Sequence, residues 1–168
     1  MQVHQWARGT LGVIGAATLA VLIAHAAPAS AANAVQYDFA TWGETDNAWY
    51  YPSNRFHITV HTVDYNATNT PATLTVVFDP AIKGAVPVTP GVFCDRKYTP
   101  NGQLFPGTWL TCNLQSVHGQ DIRFYAVAPD QNGNYGITSI LTKRGPQGPD
   151  ADDSDNSSTF YLRVLTPG

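Results

Sequence analysis

The stretch Phe56-His57-Ile58-Thr59-Val60-His61 constrains this chain more than any other. Phe56, Ile58 and Val60 alternate with His57, Thr59 and His61, and a two-residue period puts the first set on one face of a strand and the second on the other. A sheet with one dry face must bury it against a second layer. The same alternation recurs in Val35, Tyr37 and Phe39; in Leu74, Val76 and Phe78; and in Leu110, Cys112 and Leu114. It returns in Ile122, Phe124, Ala126 and Ala128, in Tyr135, Ile137, Ser139 and Leu141, and in Phe160, Leu162 and Val164. Turn chemistry separates these runs: Asn66 to Pro71, Asp79-Pro80, Val117 to Gln120 and Asn132-Gly133. Residues 81–91 carry Gly84, Pro87, Pro90 and Gly91 and are too broken for a central strand. No helical period of useful length intervenes. The pattern predicts an all-β fold, an immunoglobulin-like antiparallel β-sandwich of seven to eight strands.

The N-terminus follows different rules. Arg8 precedes an uncharged apolar run, Leu11 to Ala27, and Ala29-Ser30-Ala31 and Ala32-Asn33-Ala34 both fit a small-residue cleavage site. Residues 1–32 are therefore expected to be a secretory signal peptide, with residues 33–168 as the domain. The run is short and Ala-rich for a membrane span, so no membrane insertion is expected after cleavage. About 135 residues remain, enough for one core. Nine Lys and Arg against twelve Asp and Glu give a net charge of -3. Losing Arg8 makes the remainder more acidic, a balance that argues against nucleic acid or anionic membrane as a partner.

Cys94 and Cys112 are the only two cysteines. In an exported chain such a pair is most simply a disulfide, worth about 3 kcal/mol in the chain-entropy model. The two are too close in sequence to join opposite sheets as in antibody domains, so the bridge is expected to tie neighbouring strands, or a strand to a loop. Free thiols or half a metal site is the rival, and it lacks companion ligands at metal-binding spacing.

The run Asp150-Ala151-Asp152-Asp153-Ser154-Asp155-Asn156-Ser157-Ser158-Thr159, feeding a last alternating strand, resembles the C-terminal signature of the conserved repeat domain of bacterial surface and secreted proteins, a domain of unknown function. An Asn-bearing turn ending at Pro71-Ala72, a strand closing at Asp79-Pro80, the Cys112-Asn113-Leu114 element and Gly119 come in that family's order. The likeness spans Phe56 to Leu165. Two departures are the replacement of an Asn-x-Gly turn by Asn66-Ala67-Thr68-Asn69 and a longer loop, Tyr98 to Trp109, between the cysteines. The resemblance implies an immunoglobulin-like sandwich with a structural or adhesive role, and it brings no catalytic residues.

Candidate sites are few. His57 and His61 share a strand face but lie about 13 Å apart there, too far to chelate one ion. They are read as solvent-facing. His118 sits in a turn beside Gly119, with no local nucleophile or paired carboxylate. The aspartates at 150–155 suit calcium chemically but lack EF-hand spacing, and a solvated linker is the reading taken. Trp42, Trp49, Tyr50, Tyr51 and Trp109 form the candidate ligand-binding set, because flat rings stack on sugars or anchor protein partners with little entropy to lose. In a domain of this size Tyr and Trp are mostly core, so packing is the rival reading for these rings.

No nucleophile elbow, zinc-protease helix or phosphate loop is present, and Glu44 is the only glutamate. No catalytic residue, metal or cofactor is assigned. The expectation is a secreted, extracellular, non-enzymatic structural or interaction module at or beyond the cell surface, with a cell-wall glycan or another surface protein as partner. The alternatives are a carbohydrate-binding module using the aromatics near 42–51 and a secreted hydrolase of unrecognised type.

Overall fold

The structure, a computed structural model, describes residues 36–97, 108–145, 150 and 152–166. The expected signal peptide, Val35 and most of the loop between the cysteines lie outside the described residues. Among the described residues nine strands run in chain order: β1 (Phe39–Thr45), β2 (Arg55–Asp64), β3 (Ala72–Phe78), β4 (Lys83–Pro87), β5 (Cys94–Arg96), β6 (Trp109–Leu114), β7 (Gln120–Val127), β8 (Gly133–Lys143) and β9 (Ser157–Val164). One 3-10 turn, Asp153–Asp155, precedes β9. Among the described residues no helix is long and apolar enough to cross a membrane.

Two antiparallel sheets pack as a β-sandwich, in the orders β1-β2-β7-β4 and β5-β6-β3-β8-β9. The alternation read from the sequence is the burial pattern observed. Phe56, Ile58, Val60, Leu74, Val76, Phe78, Leu110, Cys112, Ile122, Phe124, Ile137, Leu141 and Leu162 all lie in one core fed by both sheets. Each large apolar side chain so enclosed contributes about 1.5–3 kcal/mol.

The first strand differs from expectation. The alternation of Val35, Tyr37 and Phe39 predicts a strand through those residues, whereas β1 begins at Phe39 and continues through Trp42 to Thr45. The two-residue rule fails at its start because Phe39, Ala40 and Thr41 are all buried in succession. β1 pairs with β2 while its other side meets the second sheet, where the Thr41 hydroxyl donates to Ser139 Oγ at 3.2 Å. Residues 81–91, too broken for a central strand, supply the edge strand β4, which brings the count among the described residues to nine. It sits at a sheet edge, where Pro87 costs no ladder bond and a register shift between Lys83 and Val86 is taken up by Gly84 at φ 67°.

The cysteines form the disulfide Cys94–Cys112. They face each other directly across the β5–β6 pair, so the bridge ties neighbouring strands within one sheet. It fastens the short edge strand β5, which has only three residues with which to hold its place.

Candidate functional site

The five aromatic candidates are distributed over several elements. Tyr50 is buried at 5% exposure and anchors the β1–β2 connection. Its amide donates to the Arg163 carbonyl at 2.9 Å, its carbonyl accepts from Leu165 N at 2.9 Å, and its hydroxyl reaches the Asp46 carboxylate. An extended segment exposes what flanks a buried residue. Trp49 and Tyr51 accordingly face outward at 45% and 40% exposure, edge to face with ring centres 4.9 Å apart. With Leu165 and Thr166 they line a shallow depression of about 190 Å³.

Trp42 stands on the outer face of the first sheet, opposite His61 in register, and stacks on its imidazole at 5.0 Å and 20°. Trp109 belongs to the other sheet, on β6, with the Lys97 ammonium 5.0 Å from its ring centre. The structure thus brings Trp49 and Tyr51 together, puts Trp42 and Trp109 on different sheets, and uses Tyr50 in the core.

The two strand histidines lie on the outer face as expected, each held by carboxylates. His61 Nδ1 meets Asp121 Oδ1 at 2.7 Å and its Nε2 lies 3.5 Å from Glu44, so both ring nitrogens are engaged. His57 Nδ1 lies 3.7 Å from Asp46, with Tyr125 edge-on to the ring. His118 Nδ1 is 3.4 Å from the Asp64 carbonyl in the turn before β7.

The acidic stretch docks onto β1 rather than running free as a linker. Asp150 Oδ1 accepts from Phe39 N at 3.3 Å, and its Oδ2 accepts from Asn156 Nδ2 at 2.9 Å. Asp152 caps the 3-10 turn by accepting from Ser154 N at 2.9 Å, and hydrogen bonding to Ser154 holds its carboxyl below the usual range. Desolvation, then repulsion from Asp150, Asp152 and Asp64, pushes Asp38 up; desolvation and Asp152 do the same to Asp155. Among the described residues no group of three His, Cys, Asp or Glu side chains is arranged to hold a metal ion.

Sequence reasoning missed two features. Asp64, fully buried at the end of β2, organises the next turn: its carboxylate accepts from Asp38 N, Asn66 N and Thr68 N at 3.3, 3.2 and 2.9 Å, and from the Thr68 hydroxyl. An aspartate followed by Asn-x-Thr was its only signal. The other is a cleft of about 330 Å³ between the β4–β5 connection and the β6–β7 turn, lined from residues 89–92, 113–115 and 120–122. No single stretch of sequence signals it.

No family model matches the sequence, and no curated protein matches it. Among solved structures, the chain is similar to a cohesin module from a Clostridium perfringens family 33 glycoside hydrolase, at 10% identity and a TM-score of 0.55, covering 77% of this chain and 98% of that one. That likeness is one of fold. The human F-spondin reeler domain scores 0.43 at 11% identity, covering 76% and 93% of the two chains. A structure from work on Streptococcus parasanguinis adhesion by Fap1 fimbriae scores 0.43 at 10% identity, covering 76% and 89%. Scores at that level carry no functional argument.

Proposed function

We propose that residues 1–32 direct export and are removed, leaving residues 33–168 as a secreted, non-enzymatic interaction module acting at or beyond the cell surface. The observation that carries this reading is the exposure of Trp49 and Tyr51 on a segment locked down by buried Tyr50. Rigid aromatic side chains held out to solvent lose little entropy on contact, which is what a partner surface requires. A disulfide between adjacent strands suits an oxidising compartment. The order of the Asp79-Pro80, Cys-x-Leu and acidic motifs supports kinship with the bacterial repeat domain, and the partner is then a cell-wall glycan or another surface protein.

Expression of the full chain in a bacterial host tests this. Mass spectrometry should find a mature form beginning between Ala32 and Val35 in the medium or envelope, and that form should bind intact cells less well as Trp49→Ala or Tyr51→Ala. An uncleaved cytoplasmic product would overturn the reading.

A second reading, a carbohydrate-binding module, is favoured by the depression under the Trp49–Tyr51 pair. A glycan array decides it: no binding, or binding untouched by Trp42→Ala and Trp49→Ala, removes it. Hydrolase chemistry draws no support from the three depressions around Asp121, Asp130 and Trp49, each of which holds at most one carboxylate.

A further inference from the structure

The cleft between the β4–β5 connection and the β6–β7 turn is built differently from the aromatic surface. Its volume of about 330 Å³ lies in the lower range of small-ligand sites. Leu114 and Ile122, both buried, and half-buried Val92 give it an apolar lining. Around them stand three carboxamides, Asn113, Gln115 and Gln120, and one carboxylate, Asp121. The side-chain amides of Gln115 and Gln120 have no hydrogen-bond partner among the described residues, Asn113 Oδ1 accepts from the Thr73 hydroxyl at 3.5 Å and leaves its Nδ2 to donate, and Asp121 engages His61 through Oδ1 alone.

The two walls are fixed to each other. Val92 lies two residues before Cys94 and Asn113 directly follows Cys112, so the disulfide holds both walls at one separation. On the β4 side, Thr89 is pinned because its Oγ1 accepts from Arg123 N at 2.7 Å. Such a site needs little ordering when a ligand enters.

The lining selects a chemistry. Each carboxamide offers both donors and acceptors, which match hydroxyl groups that do both. Among the described residues no Lys or Arg lines the cleft while Asp121 contributes a carboxylate, so phosphates, sulfates and uronic acids are disfavoured. One carboxylate, already shared with His61, is too little for a cation.

We propose that this cleft binds a neutral saccharide, its hydroxyls held by Asn113, Gln115, Gln120 and Asp121 and its apolar ring face lying on Val92. The proposal rests on the non-enzymatic binding reading and places the ligand away from the exposed rings.

The test is titration of the 15N-labelled mature protein with maltohexaose, cellohexaose and N-acetylchitohexaose, with oligogalacturonate as the anionic control. At least one neutral oligosaccharide should bind with a Kd at or below about 1 mM, shifting the amides of Thr89, Gly91, Val92, residues 113–115 and residues 120–122, while oligogalacturonate shifts none of them. Asn113→Ala and Gln120→Ala should each weaken binding about three- to ten-fold with unchanged melting, and Tyr161→Ala, at an exposed ring on β9 outside both candidate surfaces, should leave it intact. Shifts confined to Trp49, Tyr51, Leu165 and Thr166 would overturn the cleft while keeping a carbohydrate module. Absence of binding to all three neutral probes would overturn the cleft proposal and leave the export and cell-binding experiments to judge the module reading separately.

Discussion

Gly43 on β1 lies directly against the ring of Phe160 on β9: a Cβ added to Gly43 would sit 2.0 Å from Phe160 Cε1 and 2.4 Å from Cζ. This is where the two sheets approach across the β1 side of the sandwich, and the missing side chain lets the phenylalanine close the gap. Gly43→Ala should therefore cost about 1–3 kcal/mol, the usual penalty of overpacking. Phe160→Ala should also destabilise, by opening a cavity. In the double variant the two costs should not add, because the alanine methyl occupies space the ring has left. Urea denaturation of the four proteins measures this, and additive penalties would mean that the contact does not limit packing there.

How far the fold was legible depends on what each strand faces. Strands with one dry side, such as β2, β3 and β7, are legible in the sequence because Phe56, Leu74 and Ile122 define faces that a one-residue slip would turn to water. β1 is not legible by alternation because Phe39, Ala40 and Thr41 are buried together, while the large ring of Trp42 faces out onto His61. Of the candidate rings, alternation around Tyr50 implies the outward pair Trp49 and Tyr51, but only tertiary structure shows that Tyr50 is the inward one. The cleft was invisible because Val92, Asn113 and Gln120 come from three separate segments and each reads as an ordinary loop or strand-end residue.

The turn after β2 combines a strong element with a weak one. Buried Asp64 satisfies three backbone amides, and Asp64→Ala would orphan all of them at a cost of about 3 kcal/mol. Ala67, three residues on, holds φ at 50°, a conformation natural to glycine. It stands within the turn that departs from the Asn-x-Gly pattern of the repeat domain. Relief of the left-handed strain, about 1–2 kcal/mol, outweighs the entropy lost by a glycine, about 0.4–1 kcal/mol. Ala67→Gly should then stabilise the protein by roughly 0.5 kcal/mol, read as a higher urea midpoint at unchanged slope. A lower midpoint would show that the turn is not strained.

The Cys94–Cys112 bridge restrains a loop whose ends are already neighbours in the sheet. Thiol titration of the denatured, unreduced protein should find no free cysteine. Replacing both by serine should cost about 3 kcal/mol without unfolding the β3–β8–β9 part of the second sheet, whose pairing does not involve β5. Hydrogen exchange resolves this: protection should fall first along Cys94–Arg96 and in β6, and last in β3 and β8. Uniform loss across the sheet would instead make the bridge essential to the whole core.

Acid should act on the corner where Asp38 meets the acidic turn. Burial and the charges of Asp150, Asp152 and Asp64 raise the Asp38 pKa in the folded state. The folded protein then holds that proton more tightly than the unfolded chain. This contribution is present below the ordinary carboxylate range and is lost as pH rises through the elevated folded value, leaving a charged and repelled Asp38 at neutrality. Asp155 carries a shift of the same sign, whereas Asp130, held low by Lys83 and Ser53, stabilises above the carboxylate range and loses that contribution on acidification. Asp38→Asn removes the repulsion without changing shape. Its melting temperature should exceed that of the parent at pH 7, and the gap should close as the pH is lowered through the carboxylate range, where the parent's Asp38 is protonated as well. A variant that melts lower at pH 7 would mean that the Asp38 charge is held by favourable contacts, and the repulsion assigned to this corner would be refuted.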